Sequence, residues 1–172
     1  MTAAPGPSRE PREAGAGPGV RARRRTLGGQ RPDLLGAIAV GGALGAEARY
    51  GLGLALPHAA GGFPWSTLLV NLSGCFLIGI LMVVVTDLAE PHRLVRPFLG
   101  VGVLGGYTTF STYSTELVQL LDAGRPGPAL AYLVVTPFGA LAAAWAGSAL
   151  TRATAALLIA RSHRTRRRGG RP

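Results

Sequence analysis

The sequence contains no lysine and a single cysteine, Cys75, and only 15% of its 172 residues are charged. One cysteine forms neither an intrachain disulfide nor a multi-cysteine metal site. We find no catalytic triad, phosphate-binding loop or cluster of histidine and cysteine ligands, so we do not expect an enzyme. By contrast, 48% of the residues are hydrophobic and 26 are glycine, which is not the composition of an ordinary water-soluble domain.

Arginine supplies all the positive charge of the side chains, and most of it lies at the two ends of the chain. Residues 1–31 contain seven arginines and residues 161–172 contain six, whereas residues 32–160 are close to neutral. The proline- and glycine-rich start shows no apolar period, so we predict a disordered basic tail at 1–31 and a second basic tail at 156–172. Because these arginines flank an apolar body, we expect no nucleic-acid partner.

Four long apolar stretches occupy the middle of the chain, at residues 34–56, 65–87, 94–121 and 129–150. Each exceeds the ~20 residues that a helix needs to cross a hydrocarbon core. A water-soluble bundle needs polar helix faces, whereas residues 77–85 are apolar all round. We therefore predict an all-α, multi-pass membrane protein with four transmembrane helices in a domain of residues 32–155.

The arginine distribution also predicts an orientation. Four crossings place both termini on one side of the membrane, together with the second loop, which carries Arg93 and Arg96. The positive-inside rule makes that side the cytoplasm. We therefore expect a protein of the cell membrane with cytoplasmic N- and C-termini.

The third apolar stretch contains an unusual run of glycines and hydroxyl residues. Gly105 and Gly106 precede a segment, residues 108–115, in which six of eight residues are serine or threonine. This composition predicts a helix broken in mid-membrane at Gly105–Thr108, and a break at that depth frees backbone groups that need polar partners. Hydroxyls can supply those partners in a simple packing kink, or the freed carbonyls can coordinate Na⁺. The residues alone leave both interpretations open.

This segment resembles the third helix of the Fluc/CrcB fluoride channels, whose pattern is Gly-Gly-x-Thr-Thr-Phe-Ser-Thr-Phe. Residues 41–50 resemble the family's first-helix pattern Gly-Gly-x-x-Gly-x-x-x-Arg-Tyr, and residues 67–79 its second-helix pattern Thr-x-x-x-Asn-x-x-Gly-x-x-x-x-Gly. The resemblance covers almost all of residues 34–150. It implies an antiparallel dimer with two fluoride pores and a central structural Na⁺, held by the carbonyls of Gly105 and Thr108 and not transported.

The resemblance also implies an activity, namely a passive and selective fluoride leak that lowers cytoplasmic fluoride. The residues that it assigns to the fluoride pathway are Phe110, Tyr113, Asn71, Ser111, Thr112, Tyr132 and Thr136. Aromatic edges carry positive potential that can replace some of the water around an anion, although both rings could equally serve packing. The family usually has Phe at the second aromatic position, so the Tyr113 hydroxyl either offers a donor to fluoride or obstructs the ring edge.

Two charged residues are assigned to a vestibule: Glu116 is expected near the other end of the path, and Arg49 at the pore mouth. Arg49 would concentrate anions there, or would extend to the lipid headgroups. Asn71 either donates an N–H to the anion or forms an interhelical hydrogen bond.

Two other functions compete with the fluoride channel. One is a small proton-coupled multidrug exporter centred on Glu47, and the other is a non-transporting membrane subunit whose glycines serve only helix packing. A further expectation concerns the partner. A homodimer of oppositely inserted chains needs a weak arginine bias, whereas the bias here is strong, so the chain could instead pair with an oppositely oriented paralogue.

Overall fold

The computed structural model describes residues 32–59, 61–88 and 92–169, so the tail predicted at 1–31 lies outside the described residues. The described chain is helical and contains no strand. Its helices are α1 (Pro32–Ala55), α2 (Trp65–Val83, extended by the π-helical turn Val84–Leu88), α3 (the π-helical Arg96–Leu104 with the turn Gly105–Tyr107), α4 (Ser111–Asp122) and α5 (Pro126–Gly169). These helices coincide with the four stretches predicted to cross the membrane, with α3 and α4 together forming the third.

Glycine allows the helices to pack with their backbones in contact. A Cβ atom at Gly45 of α1 would overlap the carbonyl oxygen of Val103 in α3, and one at Gly106 would overlap that of Gly42. The same close approach joins α2 to α5, where a Cβ at Gly79 would overlap the backbone of α5. Small residues at such contacts are typical of membrane helices, because lipid supplies no hydrophobic drive for helix association.

Two of the helical segments meet a length-and-composition test for a membrane span, namely Trp65–Leu88 and Pro126–Leu158. The 24-residue α1 is as long as the first of these, but it contains Asp33, Glu47 and Arg49. The third predicted crossing is divided by the break into two short helices, α3 and α4. The composition of the helices therefore identifies two of the four predicted crossings.

The break itself lies slightly later in the chain than the sequence predicts. Gly105 and Gly106 are helical, the backbone becomes extended at Thr108 (φ −75°, ψ 156°), and the helix resumes at Ser111. Gly106 stays helical because its backbone packs directly on α1, so the interruption falls on the β-branched Thr108 and Thr109 that follow. The prediction of a broken third helix is confirmed, and its placement at Gly105–Thr108 is corrected to 108–110.

The best-buried apolar cluster joins α2, α4 and α5 next to this break. Its members are Leu68, Tyr113, Leu120, Ala129 and Tyr132, with Phe63, Leu72 and Leu117 packed against them.

The far end of α5 continues to Gly169, so the backbone remains helical through most of the tail predicted at 156–172. A 44-residue helix is about 66 Å long, which is roughly twice the thickness of a hydrocarbon core.

Candidate functional site

The backbone at the break is held by one side chain of α2, Asn71. Its Oδ1 accepts a hydrogen bond from the Thr109 N–H at 2.8 Å, and its Nδ2 donates to the Thr109 carbonyl at 3.0 Å. Both residues are buried. Asn71 therefore replaces the helical partners that Thr109 loses, and one N–H of its amide group remains after these two bonds.

The break changes the surroundings of the two carbonyls predicted to bind Na⁺. In a continuous helix the Thr109 N–H would donate to the Gly105 carbonyl, but here it donates to Asn71. The Thr108 carbonyl accepts a long hydrogen bond, 3.4 Å, from Nη1 of Arg49. Gly105 thus loses its helical donor at an exposed position, whereas the Thr108 oxygen faces a guanidinium.

A cavity of about 390 Å³ lies beside the break, and we call it the vestibule cavity. Its lining includes the polar residues Arg49, Tyr50, His58, Ser66, Thr67, Thr112 and Glu116. The structure therefore brings Arg49 and Glu116 to the same cavity, although the sequence placed Glu116 near the other end of the path. Arg49 is half-buried, and its guanidinium donates to the Thr108 carbonyl at the break.

Glu116 is a buried carboxylate with defined hydrogen-bond donors. The Thr67 hydroxyl donates to Oε1 and the Tyr132 hydroxyl donates to Oε2, both at 2.8 Å. Nε2 of His58 lies 3.9 Å from Oε1. Thr67 and His58 were not assigned to the site from the sequence. Thr67 opens the second-helix pattern and could have been found there, whereas no signal marks His58.

A second cavity of about 240 Å³, the break cavity, lies between α2, α4 and α5. Four of the predicted pathway residues line it: Asn71, Phe110, Tyr113 and Thr136. Phe110 is 80% exposed, and its ring centroid lies 5.7 Å from that of the buried Tyr113. Cys75 and Thr109 also line this cavity and were not assigned to the pathway from the sequence.

Thr136 has the one buried side-chain oxygen or nitrogen without a hydrogen-bond partner among the described residues. This is unusual within α5, because the hydroxyls of Ser148, Thr151 and Thr154 each donate to the carbonyl four residues earlier. A buried hydroxyl without a partner is unfavourable. Thr136 therefore combines a hydroxyl that has no partner among the described residues with a position in the lining of the break cavity.

A chain of hydroxyls extends from the break cavity to the vestibule cavity. Thr109 lines the break cavity, and Thr112 lines the vestibule cavity. Thr109 Oγ1 donates to Thr112 Oγ1 at 3.0 Å. Ser111 lies 3.3 Å from Thr109 Oγ1 and is exposed, lining neither cavity. Tyr132 is fully buried behind Glu116 and also lines neither.

Glu47, on which the exporter alternative depends, is exposed on α1 and lines neither cavity. The described residues contain no cluster of three or more His, Cys, Asp or Glu side chains suited to a metal ion. Any cation at the break would consequently depend on backbone and hydroxyl oxygens.

Comparison with known proteins places this arrangement in a family. Residues 36–148 match the family described as CrcB-like protein, Camphor Resistance (CrcB). The fluoride-specific ion channel FluC 2 of Streptomyces avermitilis is 52% identical over 115 residues, which cover 67% of this chain and 73% of that protein. FluC 1 of Streptomyces coelicolor is 50% identical over 129 residues, covering 74% and 84%. FluC 2 of Geobacillus kaustophilus is 44% identical over 114 residues, covering 66% and 88%. The chain belongs to the CrcB family.

Proposed function

We propose that this chain forms a fluoride-selective channel that passively releases fluoride and lowers its cytoplasmic concentration. The observation that carries the proposal is the broken third crossing, with a hydrogen-bond donor left free on Thr136 in the adjoining cavity. Relatives about 50% identical to the chain are named fluoride-specific ion channels. Neither the family nor these names describe an enzyme.

The two cavities suggest a route for the ion. Arg49 attracts anions to the vestibule cavity through its positive charge, and the hydroxyl chain of Thr112 and Thr109 leads towards the break cavity. There the Thr136 hydroxyl and the remaining N–H of Asn71 are available as donors. Fluoride is small and strongly hydrated, so a dry route needs such donors in succession to replace water.

Phe110 is the residue on which we expect permeation to depend most directly. Its exposed ring lies at the break, beside Tyr113 and against the break cavity. The positive edge of an aromatic ring can face an anion without competing for its hydrogen-bond donors. We therefore assign Phe110 to the pathway, and assign Ser111 and Tyr132 to supporting positions next to it.

We propose that the carbonyls of Gly105 and Thr108 hold a structural Na⁺, because a hard cation prefers oxygen ligands and the Thr108 oxygen keeps a second lone pair beside its long contact with Arg49. The Gly105 oxygen has lost its helical donor, but two carbonyls from one chain are too few for a complete shell. A second copy would supply two more. When bound, the cation would offset part of the electrostatic cost of an anion nearby. Replacement of Na⁺ by N-methylglucamine should then lower thermal stability, and an unchanged Tm would contradict the assignment.

The exposed apolar surface supports a dimer within a membrane. Trp145, Leu141, Phe138 and Phe110 are all more than two-thirds exposed in the single chain, an amount of apolar surface that lipid or a partner must cover. We propose an antiparallel dimer of four-crossing subunits, in which this chain keeps its termini in the cytoplasm and pairs with itself or with an oppositely oriented paralogue.

Impermeant maleimide labelling tests the orientation. Single cysteines in the N- and C-terminal tails, in a Cys75→Ser background, should stay unlabelled from outside intact cells. Labelling of about half of each tail would contradict a single orientation and would favour a homodimer of oppositely inserted chains.

Fluoride-electrode efflux from proteoliposomes that contain this chain alone tests the function. We expect fluoride release without a proton gradient, and its loss in Phe110→Ile. Phe138→Ile is the matched control, because Phe138 is similarly exposed but lines neither cavity. Strict dependence on a proton gradient would favour an exporter, and unchanged efflux in Phe110→Ile would remove the role of the aromatic edge.

A further inference from the structure

Pro137 lies inside α5, one residue after Thr136. Proline has no backbone N–H, so it cannot donate to the carbonyl four residues earlier in a helix. In α5 this leaves the carbonyl of Leu133 without its helical donor. At membrane depth such a carbonyl costs free energy unless another group donates to it.

The group that donates to Leu133 is the Tyr113 hydroxyl of α4. The distance from Tyr113 Oη to the Leu133 oxygen is 3.0 Å. The tyrosine ring is buried and packs against Tyr132 of α5, with 5.0 Å between the ring centroids. The hydroxyl therefore reaches across the α4–α5 contact and occupies the position that a backbone N–H would fill in an uninterrupted helix.

This hydrogen bond bears on the question that the sequence left open. A tyrosine hydroxyl has one proton to donate, and the Leu133 carbonyl takes it. The same hydroxyl cannot donate to an anion in the break cavity while this bond is made. The ring of Tyr113 lines that cavity, but its polar end is directed to α5.

We propose that Tyr113 and Pro137 act as a coupled pair, in which Tyr113 is a positioning residue. The Tyr113 hydroxyl joins α4 by a hydrogen bond to the turn of α5 that contains Pro137. This bond fixes the positions of Thr136 and Phe110 at the break cavity. The hydroxyl is not itself a fluoride donor. This last statement rests on the proposed function, whereas the coupling between the two residues does not.

Three observations agree with this pairing. Thr136 directly precedes Pro137 and keeps a buried hydroxyl free of any partner among the described residues. Thr136, Pro137 and Tyr113 line the same cavity. The hydroxyl contact joins two consecutive helices, so it restrains the position of one helix against another and not merely a local turn.

A double-mutant cycle tests the pair, using Tyr113→Phe, Pro137→Ala and the double variant. In the otherwise unaltered chain, which keeps Pro137, Tyr113→Phe should lower Tm by about 2–4 °C, because the Leu133 carbonyl loses its donor. In the Pro137→Ala background, the backbone N–H gained at position 137 supplies that donor, and Tyr113→Phe should have almost no effect. Tyr107→Phe is the control, since its hydroxyl pairs with Ser73 at 3.0 Å and should cost the same in both backgrounds.

Fluoride efflux separates positioning from direct contact with the ion. We expect Tyr113→Phe to slow efflux and Pro137→Ala to restore it. An equal loss of efflux in both backgrounds would overturn the proposal, because the hydroxyl would then act on the ion. Equal Tm changes in both backgrounds would also overturn it. If the unaltered chain carries no fluoride, the proposed function fails, and the thermal cycle still decides whether the two residues are coupled.

Discussion

Removal of the Asn71 amide should destabilise the break more than any other single truncation on α2. Two hydrogen bonds, of 2.8 and 3.0 Å, join this side chain to the backbone of the buried Thr109. Asn71→Ala would leave a buried N–H and a buried carbonyl without partners, each costing about 1–3 kcal/mol. Interhelical hydrogen bonds in membranes average about 0.6 kcal/mol. We therefore expect a loss of about 2–4 kcal/mol, or roughly 5–15 °C in Tm.

The assay is thermal unfolding of the detergent-solubilised protein, with Ser73→Ala as the matched variant. Ser73 lies on the same helix, donates to the Leu69 carbonyl at 2.6 Å and pairs with the Tyr107 hydroxyl at 3.0 Å, but it bonds no backbone group at the break. Its removal leaves one part-buried hydroxyl without this partner and should therefore cost less, about 1 kcal/mol. Equal Tm values for Asn71→Ala and Ser73→Ala would refute the reasoning, because the amide would then not support the broken backbone.

Three further predictions concern other parts of the site. Gly45→Ala should lower Tm, because its Cβ would overlap the backbone of α3, whereas Gly51→Ala should raise stability by up to about 1 kcal/mol, since nothing lies within 4 Å of a Cβ there. Glu116→Ala should cost about 2–4 kcal/mol in unfolding free energy, because two buried hydroxyls lose their acceptor. Arg49→Gln should slow fluoride efflux and reduce its dependence on ionic strength. A salt dependence equal to that of the unaltered chain would argue against electrostatic attraction by Arg49.

Much of the fold could be predicted because apolar length and helix-breaking residues are local signals. Each of the four apolar stretches corresponds to one helical segment, although α5 continues well beyond the fourth, and the hydroxyl-rich segment correctly indicated the break between α3 and α4. The placement of that break was wrong by a few residues, because Gly106 remains helical through its contact with the backbone of α1. A contact between distant helices decided the local conformation, and propensity alone does not contain that contact.

The site was less accessible from the sequence, because its hydrogen bonds join helices that are far apart along the chain. The motif positions of Asn71 and Thr136 led to residues that do line the break cavity. The partner of each side chain could not be inferred. Spacing gave no reason to pair Glu116 with Thr67, which is 49 residues earlier, and none to connect Tyr113 with the carbonyl freed by Pro137.

The same partners bear on whether the break is a simple packing kink or a site for ions. Asn71 satisfies both backbone groups of Thr109, and Tyr113 satisfies the carbonyl freed in α5. These bonds account for the structural part of the interruption. They leave the Gly105 carbonyl without its helical donor on one side and the Thr136 hydroxyl without a partner among the described residues on the other. A kink that served packing alone would gain from satisfying those atoms too. A carbonyl without its helical donor and a free hydroxyl on a residue that lines the break cavity are what the proposed Na⁺ and the proposed fluoride pathway would each require.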